Sequence, residues 1–175
     1  MNYVYNKNLA NCTPSKIREF NSLASKLNAK FKLTLGEPDF DTPIEIKDAL
    51  IEAVNQNHTR YAPTVGNKNL REEICKFEKR VNKVSYEPDE VLITTGSTEA
   101  LTAALFTLLN QDDEVIVPIP CYALYEPVIS YCGAKMIPLD TRPDFQISKG
   151  HLEALINNKT KAILLTSPNN PTGTI

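Results

Sequence analysis

At 175 residues the chain is long enough for one sizeable core, or for one domain and part of another. An apolar share of 42% and a charged share of 23% are those of an ordinary globular protein. The formal charge of −2, with Lys and Arg scattered along the chain, excludes the basic footprint of a nucleic-acid or anionic-membrane binder.

No stretch approaches the length of a membrane span, and MNYVYNKNLANC at the N-terminus holds no apolar run of the signal-peptide kind. Cys12, Cys75, Cys121 and Cys132 form no Cys-x-x-Cys pair and have no histidine at metal-ligand spacing. Reduced thiols in a cytoplasmic protein are therefore expected. His58 and His151 stand alone and read as surface residues.

Ser15 to Asn28 reads as an amphipathic helix, with Ile17, Phe20, Leu23, Ala24 and Leu27 on one face. FKLTL (31–35) is a lone strand candidate, and GEPDFDTP (36–43) is rich in turn residues. Helices are expected over about 44–55 and 67–81, on either side of RYAPTVG (60–66). The pattern changes character near residues 43–46. The expected organisation is an N-terminal arm with the first part of a small domain over 1–45, then a larger α/β domain over 46–175.

From about residue 90 short β-branched runs alternate with helical stretches. EVLITT (90–95) reads as a strand and STEALTAALFTLL as the helix after it. EVIVP (114–118), AKMIPLD (134–140) and KAILLT (161–166) read as further strands, separated by helices over about 122–131 and from Ser148 to about Asn157. This alternation indicates βαβ units, hence a parallel sheet covered on both faces. The fold class expected is α/β, an α/β/α sandwich around a mainly parallel sheet. Because the sequence stops just after a strand and a turn, it reads as an incomplete part of such a fold, one that would associate or lean on another chain.

Three stretches of this α/β pattern could carry chemistry. Thr95-Gly96-Ser97-Thr98 lies where a strand meets a helix; Gly96 permits close backbone approach, and Ser97 and Thr98 bring hydroxyls and N–H groups to a helix start suited to an anion. The same residues would also serve as an ordinary N-cap. Ser167-Pro168-Asn169-Asn170-Pro171-Thr172-Gly173 follows a strand, where ligands of open α/β sheets bind, although such residues also make turns without any function. Tyr122, after EVIVP, would stand at the same sheet edge, available to a flat ligand or simply to packing. On physical grounds alone, Tyr61-Ala62-Pro63 and Leu35-Gly36-Glu37-Pro38 are a loop and a turn.

Taken in order and spacing, LGEPDFDTP, YAPTVGNKNLR, TTGSTEAL, PCYALYEP and SPNNPTG resemble the class I and II aminotransferases, enzymes of the fold-type-I class that depend on pyridoxal 5'-phosphate. The opening SKIREFNSLASKL is similar to the first helix of that family, so the likeness runs from about residue 14 to 175. The resemblance implies the N-terminal half of such an enzyme: the incomplete cofactor-binding large domain, plus the first helix and strand of the small domain.

It further implies that Gly96, Ser97 and Thr98 cradle the cofactor phosphate, that Tyr122 stacks on the pyridine ring, and that Asn170 hydrogen-bonds the ring hydroxyl. Tyr61 would reach the phosphate in the neighbouring subunit of a homodimer with shared active sites, and Gly36 would lie near the substrate carboxylate. Amino-acid and 2-oxo-acid substrates are implied, with neither nucleic acid nor membrane as partner. The bonds before Pro120 and Pro171 are expected to be cis.

In this family the lysine that holds the cofactor lies beyond the Asn-Pro-Thr-Gly turn, as do an aspartate for the pyridine nitrogen, a second tyrosine and a substrate-binding arginine. No lysine of this sequence falls at a matching position, so no catalytic residue is assigned. A carbon–sulfur β-lyase of the same fold is the alternative enzyme, although LGEPDFDTP favours transfer over elimination. A non-catalytic fragment with a residual phosphate site is the alternative outside enzymology. A generic nucleotide-binding domain would need a Gly-x-Gly-x-x-Gly loop, which is absent.

Overall fold

A computed structural model describes residues 6–9, 16–27, 31, 33, 34 and 36–175. The described residues contain six α-helices and three strands in chain order: α1 (Lys16–Lys26), α2 (Ile44–Asn55), α3 (Lys68–Val81), α4 (Ser97–Leu108), β1 (Glu114–Ile119), α5 (Tyr125–Tyr131), β2 (Lys135–Asp140), α6 (Lys149–Leu155) and β3 (Thr160–Ile163). Two compact units result, one of Met1–Phe20 with Gly96–Ile175 and the other of Asn21–Thr95.

In the first unit β1 is the centre of a three-stranded parallel sheet of order β2–β1–β3. Its apolar run explains that place: Val115, Ile116 and Val117 are all 1% exposed or less, as a strand covered on both faces requires. Val115 and Val117 point to one face, where Leu105 and Leu109 at the end of α4 and Tyr125, Val128 and Ile129 of α5 close the core. Burying a side chain such as Ile129 contributes roughly 1.5–3 kcal/mol. Ile116 points to the opposite face. The chain leaves β1 for β2 on one side, then returns past β1 to β3 on the other. With the right-handed crossovers that parallel sheets almost always use, this order assigns α5 and α6 to opposite faces. The expected α/β architecture is present.

The segment 90–95 departs from expectation. It is extended but joins no ladder among the described residues; it begins in a short 3-10 turn (Pro88–Glu90), and Ile93 N–H donates to the Val65 carbonyl at 3.1 Å. A β-branched run becomes a strand only when a neighbouring strand takes up its backbone groups, and the three-stranded sheet does not include it. The last strand is also shorter than KAILLT. Regular pairing ends at Ile163, with Leu164 N–H still donating to Ile116 O at 2.9 Å.

In the second unit α3 begins on a cap, the Asn67 side chain accepting from Asn69 N–H at 2.9 Å and Leu70 N–H at 3.3 Å. Arg71 is buried against the 3-10 turn, donating from Nη1 to Pro88 O at 2.6 Å and lying 3.4 Å from Asp89. Gly66 has φ +95°, and a Cβ built there would stand 2.3 Å from Ile93 Cγ1. Only glycine fits both that dihedral and that space. α2 forms where expected, yet it buries none of its residues.

The helix expected over 15–28 is seen as α1, and Phe20, Leu23 and Leu27 on its apolar face are exposed. Of the strand candidate 31–35, residues 32 and 35 lie outside the described residues, and 31, 33 and 34 carry no strand. Cys12 also lies outside the described residues, whereas Cys75, Cys121 and Cys132 are free thiols. No helix among the described residues is long and apolar enough to cross a membrane.

Candidate functional site

The first unit carries two loops at the carboxyl ends of the adjacent strands β1 and β3, the edge where open parallel sheets bind ligands. Residues 120–124 follow β1. After β3, the extended residues 164–166 lead into the turn Ser167–Gly173. The bonds Ile119–Pro120 and Asn170–Pro171 are both cis, as expected, and so are Arg142–Pro143 and Ser167–Pro168.

Gly96 is the N-cap of α4, with φ +87° and ψ 169°, a conformation open to glycine alone. Ser97 and Thr98 are the first two helical residues, so within the stretch Thr95–Thr98 it is Gly96 that occupies the N-cap position. The first N–H groups of a helix have no intrahelical partner, and the helix dipole adds partial positive charge there. Nothing lies within 4 Å of a Cβ built on Gly96, and Gly96, Ser97 and Thr98 are exposed. An anion can approach these groups directly. Leu101, Leu105 and Leu109 seat the helix on the core, which fixes where its N-terminus lies.

Tyr122 is not at a helix start. It lies in the loop before α5, half-buried, its carbonyl accepting from Tyr125 N–H at 3.1 Å. Its ring meets that of Tyr125 nearly edge to face, with centroids 5.6 Å apart and planes at 79°. Tyr125 is 7% exposed, and its hydroxyl lies 2.6 Å from that of Thr166. Cys121, between Pro120 and Tyr122, has its thiol pushed up by burial and then by the charge of Glu126, so it stays protonated and poorly nucleophilic.

Asn170 is exposed in the second turn. Its neighbour Asn169 is half-buried and uses both amide protons, one on Pro120 O at 3.2 Å and one on Thr172 Oγ1 at 2.8 Å. Thr172 Oγ1 in turn lies 2.9 Å from Thr174 Oγ1, and Asn169 N–H donates to Thr174 O at 2.8 Å. The two loops are thus tied at Asn169–Pro120 and again at Tyr125–Thr166. The sequence assigns Asn169, Tyr125 and Thr166 no separate role, although Asn169 lies within the stretch Ser167–Gly173 and Tyr125 within PCYALYEP. The first two left a trace, as the inner member of an Asn doublet and as a second tyrosine three residues after Tyr122.

The residues picked from the sequence divide between the units. Gly96, Ser97, Thr98, Tyr122 and Asn170 share the first, whereas Gly36 and Tyr61 belong to the second, where both are exposed. A cavity of about 270 Å³ borders the tied loops, with Val117, Tyr125, Phe145, Leu165, Thr166 and Asn169 among its walls. No charged side chain lines it, and Gly36, Tyr61, Gly96, Ser97, Thr98, Tyr122 and Asn170 all lie outside its walls. It suits an apolar group, whereas the start of α4 suits an anion. Among the described residues no cluster of His, Cys, Asp and Glu could hold a metal ion.

Comparison with known proteins bears on the family and the fold. The family described as aminotransferase class I and II matches residues 28–175. A probable N-acetyl-LL-diaminopimelate aminotransferase of Bacillus subtilis is 37% identical over 175 residues, covering 99% of this chain and 44% of the relative. An aspartate aminotransferase of Geobacillus stearothermophilus is also 37% identical, covering 97% and 44%. The solved aspartate aminotransferase of Thermus thermophilus with maleate superposes with a TM-score of 0.90 at 33% identity, covering 97% of this chain and 46% of that one. The chain thus spans less than half the length of these relatives.

Proposed function

The chain belongs to the class I and II aminotransferases, and on that footing we propose that it is the cofactor-holding part of an enzyme that moves an amino group between an L-amino acid and a 2-oxo acid. The observation that carries the reading is the start of α4. Gly96 has the conformation and the open space for a phosphate to approach the N–H groups of Ser97 and Thr98. The residues present therefore fit pyridoxal 5'-phosphate, the cofactor on which the family generally depends.

In this proposal Ser97 and Thr98 bind the phosphate through backbone N–H and hydroxyl groups. Tyr122 lies along the face of the pyridine ring and excludes water from it. The Asn170 side-chain amide donates to the ring hydroxyl oxygen, favouring its ionised form. When bound, the cofactor supplies an electron-withdrawing ring that stabilises charge developing at the substrate Cα. Tyr61 reaches the phosphate of a partner subunit in a homodimer, and Gly36 lies near the substrate carboxylate. The names of the relatives support amino-acid and 2-oxo-acid substrates. A cytoplasmic setting and the division into a small-domain segment, 1–45, and a large-domain segment, 46–175, belong to the same proposal. No residue of this chain is assigned a bond-making role.

Pyridoxamine 5'-phosphate is a suitable probe because, lacking an aldehyde, it cannot condense with surface lysines. A fluorescence titration should show saturable binding, weaker by at least about tenfold for pyridoxamine without the phosphate. Equal binding of the two compounds, or binding of neither, contradicts the proposal.

A further inference from the structure

We propose that Asn169 is a positioning residue for the cofactor ring: by tying the loop of Tyr122 to the turn of Asn170, it fixes the two ring contacts relative to each other. The inference rests on the function proposed above and adds to it a residue that does not itself touch the ring. The Asn169 amide donates across 49 positions of sequence to Pro120 O at 3.2 Å, two residues before Tyr122. Its second proton goes to Thr172 Oγ1 at 2.8 Å, inside the turn that presents Asn170. The same residue closes the turn through its backbone, donating to Thr174 O at 2.8 Å and accepting from Gly173 N–H at 2.8 Å.

The two groups meant to hold the ring are therefore not independent. Tyr122 and Asn170 stand on loops from different strands, and loops are the more mobile parts of a fold. A ring gripped from both needs their spacing set beforehand, or part of the binding energy is lost in ordering them. The second tie, Tyr125 to Thr166, joins α5 to the strand exit, and the Tyr125 N–H bond to the Tyr122 carbonyl stays within one loop; Asn169 reaches the 120–122 backbone from the other loop. The phosphate cradle at Gly96–Thr98 shares no hydrogen bond with Asn169, so the tie should affect the ring and spare the phosphate.

Two substitutions separate these effects. Asn169→Asp keeps the shape of the side chain but removes both amide donors, and Asn169→Ala removes the side chain. Binding of pyridoxine 5'-phosphate, which has ring and phosphate but no aldehyde, is compared with binding of inorganic phosphate by NMR titration of the 175-residue chain. Both variants should bind pyridoxine 5'-phosphate about tenfold more weakly and inorganic phosphate within about twofold of the wild type. Without ligand, the Tyr122 ring signals should shift in Asn169→Asp while the Ile129 methyl signals stay in place.

If both ligands lose affinity equally, the residue supports the unit in general and the proposal is overturned. It is also overturned if neither ligand loses affinity while Tyr122→Ala still weakens pyridoxine 5'-phosphate, and in that case the proposed function stands. Unfolding of both variants overturns it too, since a tie that only positions a loop is not needed by the core. A wild-type chain that binds phosphate but shows no preference for the phosphorylated ring refutes the proposed function, and this inference falls with it.

Discussion

The phenol hydroxyl of Tyr125 lies 2.6 Å from the hydroxyl of Thr166, joining the first turn of α5 to the end of the segment that leaves β3, 41 positions away. Tyr125 is at once a core residue, through its buried ring, and a strut between the two loops that flank the candidate site. Phe at this position keeps the ring contact with Tyr122 and removes only the hydrogen bond. Tyr125→Phe should cost about 1 kcal/mol of stability, more if the Thr166 hydroxyl is left without another partner, as read from urea melts. Thr166→Val should cost a similar amount. The double variant should cost less than the sum of the two, because they remove one shared bond.

Two glycines with positive φ should respond differently to alanine. At Gly96 a Cβ meets nothing within 4 Å, so Gly96→Ala carries backbone strain alone, of order 1–3 kcal/mol. At Gly66 the Cβ would stand 2.3 Å from Ile93 Cγ1, and overpacking of about 1–3 kcal/mol adds to the strain. Thermal or denaturant melts should rank Gly66→Ala as the more damaging. If the Gly96 region holds phosphate, Gly96→Ala should also lose phosphate affinity, which Gly66→Ala should not.

The apolar run of β1 and its cover set the stability of the first unit. Ile116 and Ile129 are both 0% exposed, so replacing either with alanine should cost about 2–5 kcal/mol in denaturant melts. Ile163, 40% exposed at the end of β3, should cost much less.

Much of the fold could be read from sequence because its signals are local. The periodic helices at 44–55 and 68–81 and the runs VIV and AIL needed only spacing and apolar content. EVLITT failed for a reason no local signal carries: whether a β-branched run becomes a strand depends on a partner far away in sequence. For the site, Gly96, Ser97 and Thr98 stood out because a glycine followed by hydroxyls at a strand–helix junction has a physical use in itself. Tyr122 and Asn170 became persuasive only through their spacing within a family pattern. The roles of Asn169 and Thr166 could not be read locally, since they lie in contacts with Pro120 and Tyr125, 49 and 41 positions away.

Asp140 and Arg142 form a surface ion pair, with Nη2 2.6 Å from Oδ2 and Nε 2.9 Å from Oδ1. Hydrogen bonds from the Arg142 side chain and backbone lower the Asp140 carboxyl to about 2 from its ordinary value of 3.8. A lowered carboxylate favours the folded state above its unfolded pKa, and that contribution fades as the pH falls from about 4 through about 2. The pair is exposed, so its effect should be small and largely screened in about 1 M salt. Carbon-detected NMR of Arg142→Gln should find Asp140 titrating higher than in the wild type yet still below the ordinary carboxylate value, because the backbone hydrogen bond from residue 142 remains.

Amide chemical shifts of the isotope-labelled chain during titration with pyridoxine 5'-phosphate test most directly where a phosphorylated pyridine sits. The prediction is that the largest changes fall on the backbone amides of Gly96, Ser97 and Thr98, with smaller ones at the Asn170 side-chain amide and the Tyr122 ring. Changes centred instead on Phe145, Leu165 and Thr166 around the apolar cavity, or no saturable change at all, would contradict it.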